Sequence, residues 1–251
     1  MEYTTLIFDA FDTVVHINRA KLPTCTINGK PIQTTAPAVH AAYTGHFGKL
    51  DFDVFYNAFS QSFLQVSDIR RNEHREIRSQ ERFRVLLGIL GHDTRRVEPD
   101  VLDNLTETHM NRLQESFEVR PETLEVLEWA GRRFRRAMIS NFDYAPALHK
   151  ALDRFGIRSA FESVVVSVEV GWRKPHRIIF ERSFNELGIR PSEALFIGDQ
   201  LYLDVYGAIR AGMDVVWLES EHQDCLGPEI PEPTYKVRSI GEVIGLLEKG
   251  K

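Results

Sequence analysis

Asp9, Ser140, Lys174, Asp199 and Asp204 are far apart in a chain of 251 residues, yet their types and surroundings suit joint chemistry. Asp9 closes the run Thr5-Leu6-Ile7-Phe8 and is followed by a polar turn at Asp12-Thr13. An apolar run ending in a carboxylate reads as a buried parallel strand that delivers Asp9 to the carboxyl edge of a sheet, where open α/β sheets keep their chemistry. A lone Asp also caps turns and helices, so its weight depends on partners downstream. Three stretches supply them: Ala137-Met138-Ile139-Ser140-Asn141, Gly171-Trp172-Arg173-Lys174-Pro175, and Leu195-Phe196-Ile197-Gly198-Asp199 with Asp204 five positions on. Two of these end a strand-like run in a small or acidic polar residue, and the third sets a single Lys before Pro. Carboxylates, a hydroxyl and an ammonium at strand ends are groups that hold cations and anions and attack electrophiles. Taken singly, each is equally a strand-end turn, a surface cation or a helix-start charge.

The elements that must position these groups follow from periodicity. Beyond Pro121, which opens a helix with Leu124, Leu127, Ala130 and Phe134 on one face, strands and helices alternate. Strands are predicted at 136–140, 161–167, 194–198 and 214–218, with a short edge strand at 235–237. Helices are predicted at 145–155, 178–187 and 203–211, and a last helix is capped by Ser239 with Ile240, Val243, Ile244 and Leu247 inward. This alternation implies an α/β fold with a doubly wound parallel sheet. Residues 227–233, rich in Pro and Glu, read as a solvated loop.

Between the first strand and Pro121 the pattern changes. Residues 23–33 hold two short extended runs joined by Asn28-Gly29, the signature of a type I′ hairpin, expected beside the mouth of the site. From about Ala36 to Phe117 no strand pattern is present. Apolar residues recur at helical spacing: Phe52, Phe55, Phe59, Phe63 and Val66; Phe83, Leu86, Leu87 and Leu90; Leu102, Leu105, His109 and Leu113. The aromatic stripe reads as bundle core, with helix ends and starts at Gly91-His92-Asp93 and Glu98-Pro99-Asp100.

The four motifs in this order resemble those of the haloacid dehalogenase superfamily of aspartate-nucleophile hydrolases. The resemblance implies a Rossmann-like core at 1–15 and 118–251, with a helical cap at 16–117 that closes over the site and selects substrate. It further implies that Asp9 attacks phosphorus, that Ser140 and the backbone N–H groups at Asn141 bind phosphate oxygens, and that Lys174 neutralises the shared charge. Asp9, Asp199 and the backbone carbonyl of Phe11 match the family's Mg²⁺ ligands. Asp204 matches the acid that orients a metal-bound water or the Lys. The implied activity is hydrolysis of a small phosphorylated metabolite.

One position departs from that pattern. Phosphatases of the superfamily carry a second Asp two places after the nucleophile to protonate the leaving oxygen, and here Phe11 stands there. An aromatic ring cannot shuttle a proton, and losing such a group typically costs ~10²–10⁴-fold in rate. Asp12 is expected to face away from Phe11 and bond the turn backbone, and His16 reads as a satisfied surface residue. An aromatic residue at this place resembles the 2-haloacid dehalogenases, which need no leaving-group acid. The fourth motif, with both Asp199 and Asp204, is phosphatase-like, and acidic clustering would repel a haloacid carboxylate without a cation. A third alternative is a weakly active or inactive domain that binds metal and phospholigands.

Composition sets bounds on partners. With 43% apolar and 27% charged residues and a net charge of −5, the chain is an ordinary globular protein whose charge disfavours a nucleic-acid surface. The Arg-rich stretches 69–84 and 132–136 read first as solvated helix faces, although one of Arg70, Arg71, Arg75 and Arg78 could reach a substrate anion. Cys25 and Cys225 suggest neither a disulfide framework nor a zinc site. A first strand close to Met1, and no apolar run of ~18 residues, point to a cytoplasmic protein that works on a small molecule without membrane or nucleic acid. Oligomeric state is not legible.

Overall fold

A five-residue strand with every side chain buried, Thr5–Asp9 (β1), requires cover on both faces. In the computed structural model, which describes residues 3–27, 29–220, 223 and 229–249, it has that cover. After β1 come β2 (His16–Ile17), β3 (Thr24–Ile27), β4 (Lys30–Gln33) and four helices, α1 (Ala36–Phe47), α2 (Phe52–Glu73), α3 (Ser79–Ile89) and α4 (Pro99–Gln114). The chain continues through β5 (Phe117–Glu118), α5 (Pro121–Gly131), β6 (Arg135–Ser140), α6 (Ala145–Arg154), β7 (Ser163–Val166), α7 (Ser167–Val170) and α8 (Arg177–Leu187). It ends with β8 (Ala194–Gly198), a π-helical turn (Leu201–Tyr206), α9 (Gly207–Arg210), β9 (Asp214–Leu218), β10 (Tyr235–Val237) and α10 (Glu242–Lys249).

Six strands form one parallel sheet in the order β10-β9-β8-β1-β6-β7, with β1 where the direction of winding reverses. Leu6, Phe8 and Met138 face one core, covered by α5, α6 and α10, while Ile7, Ala137 and Ile139 face a second, covered by α8 and α9. The expected doubly wound core is present. Register sets which ends meet: Asp9 pairs Ile139, one residue before Ser140, and Phe8 pairs Ile197, one before Gly198. Three predicted site residues therefore reach the same edge.

α1 to α4 build a separate core around Phe55, Phe83, Leu86, Leu87 and Leu105. Asp51 starts α2 by accepting hydrogen bonds from the N–H groups of Asp53 (2.9 Å) and Val54 (3.2 Å). Phe55, Phe59 and Val66 are buried as the stripe required, but Phe63 is 49% exposed and Leu64 60%. His109, predicted on the apolar face of its helix, is half-buried and holds polar contacts there. Arg82 donates to its Nε2 at 3.3 Å, so Nδ1 carries the proton and meets Thr35 Oγ at 2.7 Å.

Other departures have local causes. Residues 201–206 form a wide π turn, with α-helix only from 207, because Asp204 folds back to accept the Gln200 N–H at 2.9 Å. The last helix begins at Glu242, not beside Ser239; the Ser239 carbonyl accepts the Glu242 N–H. A two-residue antiparallel ladder, β2 with β5, closes the insertion at its base where no strand was predicted. The hairpin pairs Ile27 with Lys30 across two residues, with Gly29 at φ +75°. Asn28 lies outside the described residues, as do Cys225 and residues 227 and 228 of the predicted loop. No described hairpin residue lines the two cavities beside the candidate site, against the expectation that the hairpin would flank the mouth. Among the described residues no helix is long and apolar enough to cross a membrane.

Candidate active site

Asp9, Asp199 and Asp204 are 7%, 3% and 1% exposed, and each offers a carboxylate oxygen within 4.8 Å of the others'. Lys174, equally buried, reaches this group from the loop between α7 and α8. Its Nζ donates to Asp9 Oδ1 and, at 2.7 Å, to Asp204 Oδ1. Gly198 makes the approach possible, since a Cβ there would stand 2.5–2.8 Å from the Asp204 side chain. Asn141 clamps the Lys174 backbone from both sides: its Oδ1 accepts the Lys174 N–H (2.7 Å) and its Nδ2 donates to the carbonyl (3.0 Å).

Three carboxylates against one ammonium leave two negative charges uncompensated if all ionise. At such separations each ionised pair repels by on the order of 3–4 kcal/mol at an effective dielectric near 20. Protons take up the excess. Burial, only partly offset by Lys174 and reinforced by Asp204, pushes Asp9 up to about 7. Burial with Asp204 and Asp9 pushes Asp199 up to about 8. Burial alone would lower Lys174, but Asp204 and Asp9 reverse that and hold it above its usual value. An oxygen-only, charge-excess cluster fits a hard divalent cation such as Mg²⁺. The backbone carbonyl of Phe11 lies two residues past Asp9 in the same turn.

Ser140 is fully buried at the end of β6, and its Oγ has no hydrogen-bond partner among the described residues. A buried hydroxyl left without a partner costs stability. Phe11 sits in an aromatic trio, 5.2 Å from Phe117 and 4.8 Å from Phe142 between ring centroids. Asp12 stands in the turn that follows β1. It adopts φ +60° and turns its exposed carboxylate to the Ile17 N–H (3.4 Å), which keeps the expected role in the turn. His16 is more enclosed than a surface residue, its side chain 13% exposed, and burial and Arg120 hold its pKa below the usual value.

A cavity of about 460 Å³ opens beside Lys174, walled by Phe63 and Leu64 from α2 and by His74, Arg173 and Tyr202. A second, of about 500 Å³, is lined by Asp199 together with Asp12, His16 and Arg120. Of the four flagged arginines, Arg71, Arg75 and Arg78 are solvated. Arg70 is not: it is ion-paired with Glu76 and Asp143. Arg82, in the stretch read as a solvated face, is 5% exposed and lies over the Phe59 ring at 4.2 Å; burial lowers its pKa to about 10. The sequence reading missed Glu76, Ser167 and the His74–Tyr202 contact (3.1 Å), because nothing in local spacing links them to the motifs.

The family model for haloacid dehalogenase-like hydrolases matches residues 3–212. A pyrimidine 5′-nucleotidase of Escherichia coli is 31% identical over 146 residues, 58% of this chain, and the match spans 64% of that protein, less than two thirds of its length. A ribulose-1,5-bisphosphate 5-phosphatase of Halopiger xanaduensis is 27% identical over 88% of this chain and 87% of its own. The crystal structure of a 2-haloacid dehalogenase from Pseudomonas syringae shares the fold over 99% of this chain and all of its own, with a TM-score of 0.65 at 17% identity. With its parallel core, its acidic strand edge and a family match over most of its length, the chain belongs to the haloacid dehalogenase-like hydrolases.

Proposed function

We propose that the protein is a Mg²⁺-dependent phosphomonoesterase that transfers a phosphoryl group first to Asp9 and then to water. The observation that carries this reading is the buried cluster of Asp9, Asp199 and Asp204 around Lys174. Asp9, Asp199 and the Phe11 carbonyl would hold Mg²⁺, which when bound offsets the repulsion between the nucleophilic carboxylate and the anionic ester. The curated relatives named above are a nucleotidase and a phosphatase, both phosphomonoesterases by name.

In this reading an Asp9 oxygen forms a bond to phosphorus as the ester oxygen departs, and water then cleaves the aspartyl-phosphate and restores the carboxylate. Lys174, kept protonated by Asp204 and fixed in place by Asn141, balances the charge on Asp9 and on the transferring group. The Ser140 hydroxyl, buried without a partner, donates to a phosphoryl oxygen. Phe11, packed between Phe117 and Phe142, offers the leaving oxygen no proton. That oxygen therefore departs as an anion, which favours aryl and acyl phosphates over alkyl phosphates. Phe63 and Leu64, exposed on the wall of the cavity at Lys174, suit a leaving group with an apolar body. Residues 16–117 act as the cap that supplies this wall.

Phe11 also favours a second reading, dehalogenation of a 2-haloacid, where the leaving halide needs no proton. Asp199 and Asp204 oppose it, because they would repel the substrate carboxylate. The test is a panel of an aryl phosphate, an acyl phosphate, an alkyl phosphate and a 2-haloacid, each with and without Mg²⁺. Metal-dependent phosphate release, fastest from the aryl and acyl esters, supports the proposal, and metal-independent halide release replaces it with the second reading.

A further inference from the structure

The loop that carries Lys174 is not held by the core alone. Residues 74–79, which join α2 to α3 in the helical insertion, lie along it as a short seam. Glu76 N–H donates to the Gly171 carbonyl (3.0 Å), Arg173 N–H donates to the His74 carbonyl (3.0 Å), and Arg75 pairs antiparallel with Trp172. At the centre of the seam the Glu76 carboxylate has 0% exposure and faces two guanidinium groups: Arg173 Nη1 at 2.9 and 3.1 Å, and Arg70 Nε at 2.8 Å. The Ser167 hydroxyl also donates to it. Both sets of contacts continue into the site. Arg70 pairs with Asp143 at 2.7 Å, and Ser167 Oγ accepts the N–H of Phe142, the ring that packs on Phe11. One carboxylate from the insertion therefore ties down the Lys174 loop and the loop that follows Ser140.

A carboxylate taken out of water persists only where cations and donors compensate it, and apolar packing would hold a purely structural junction at less desolvation cost. What ionic contacts add is direction. Arg173 is covalently next to Lys174, so whatever fixes Arg173 fixes the root of the lysine. Glu76 and Asp143 also balance Arg70 and Arg173, which keeps surplus positive charge away from the ammonium that must pair with Asp9.

We propose that Glu76 is a positioning residue: through Arg173 and the 171–174 loop it sets the place of Lys174 Nζ against Asp9, which makes the insertion part of the reacting constellation and not merely a cover over it. This rests on the reading of Asp9 and Lys174 as reacting groups. The test compares Glu76→Gln, Glu76→Asp, Arg173→Met and the double variant Glu76→Gln/Arg173→Met, by amide hydrogen exchange and by hydrolysis of an aryl phosphate with Mg²⁺. In Glu76→Gln, exchange at the Arg173 amide should speed at least ~10-fold, and kcat should fall ~10–100-fold with KM within about twofold, as expected of a misplaced reacting group. Glu76→Asp should recover part of the loss, and the double variant should be no worse than the poorer single one. Unchanged kcat and exchange in Glu76→Gln, or losses that multiply in the double variant, overturn the proposal. If Glu76→Gln does not fold, Glu76→Asp and Arg173→Met carry the same comparison. A wild-type protein inert toward every ester would overturn the reading of Asp9 instead, and the exchange measurement alone would then decide for or against Glu76.

Discussion

At the scale of the residue, the chemistry turns on which carboxylates are charged and what stands beside them. Asp9 is the group on which turnover depends in the proposed reaction, because it alone forms and breaks bonds to phosphorus. Asp9→Asn should therefore lower kcat by at least ~10³-fold while leaving the melting temperature within a few degrees, since it also removes one charge from a crowded cluster. Steady-state hydrolysis with a thermal melt checks both halves, and full retained activity would remove Asp9 as nucleophile. Phe11→Asp is a different experiment. The new carboxyl would stand against the Phe117 and Phe142 rings, where desolvation keeps it protonated and able to donate. We expect alkyl phosphates to gain up to ~10²-fold and the fold to lose about 1–3 kcal/mol. Comparing alkyl with aryl esters across the two proteins tests the first, and urea melts test the second.

At the scale of the element, the insertion depends on polar contacts as well as on its apolar stripe. The neutral His109 bridging Thr35 and Arg82 is a weak point in acid. Burial, with Arg82 beside it, holds its pKa well below the usual value near 6.5. The unfolded chain therefore takes up the proton that the folded chain refuses, and stability present above pH 6.5 is lost progressively as pH falls below it. The melting temperature of the wild type, taken relative to that of His109→Gln at each pH from 7.5 to 5, should show this decline. A slope that the substitution leaves unchanged would place the sensitivity elsewhere. α2 carries out two tasks with one sequence: Phe55 and Phe59 hold the bundle, while Phe63 and Leu64 are left for the cavity at Lys174. Helical period marks all the stripe residues alike. It does not tell which end of a 22-residue helix runs past its bundle to face another part of the chain.

At the scale of the whole molecule, the proposed Mg²⁺ would compete with protons for the same oxygens. Without metal, Asp9 and Asp199 titrate near 7 and 8, above the values near 4 of an unfolded chain. The folded form then holds more protons, so this contribution to stability is present at low pH and lost as pH rises from about 4 to 8. In the proposed reaction Mg²⁺ would take the protons' place. Its stabilisation, read as the rise in melting temperature at a fixed millimolar concentration, should be larger at pH 8 than at pH 6. Asp199→Asn should abolish the difference. An equal rise at both pH values would argue against a cation among these three side chains. The insertion, for its part, is joined to the core at its base by the β2–β5 ladder and again at residues 74–79. A buried charge network at the second junction opposes opening of the insertion as a free lid.

The sequence by itself determined the parallel core and the strand-end residues Asp9, Ser140 and Asp199. Apolar runs buried on both faces and their polar ends are local patterns, and chain order together with the winding of the sheet brings those ends to one edge. It also showed Phe11 where the phosphatases it resembles carry a second Asp, since that is a matter of identity at one position. The tertiary structure alone decided that Asn141 grips the Lys174 backbone, that Arg82 is buried and Arg70 ion-paired instead of solvated, and that Glu76 closes a network 97 residues from Arg173 in sequence. Those contacts join segments with no shared periodicity, and a charged side chain reads the same in sequence whether water or another charge surrounds it.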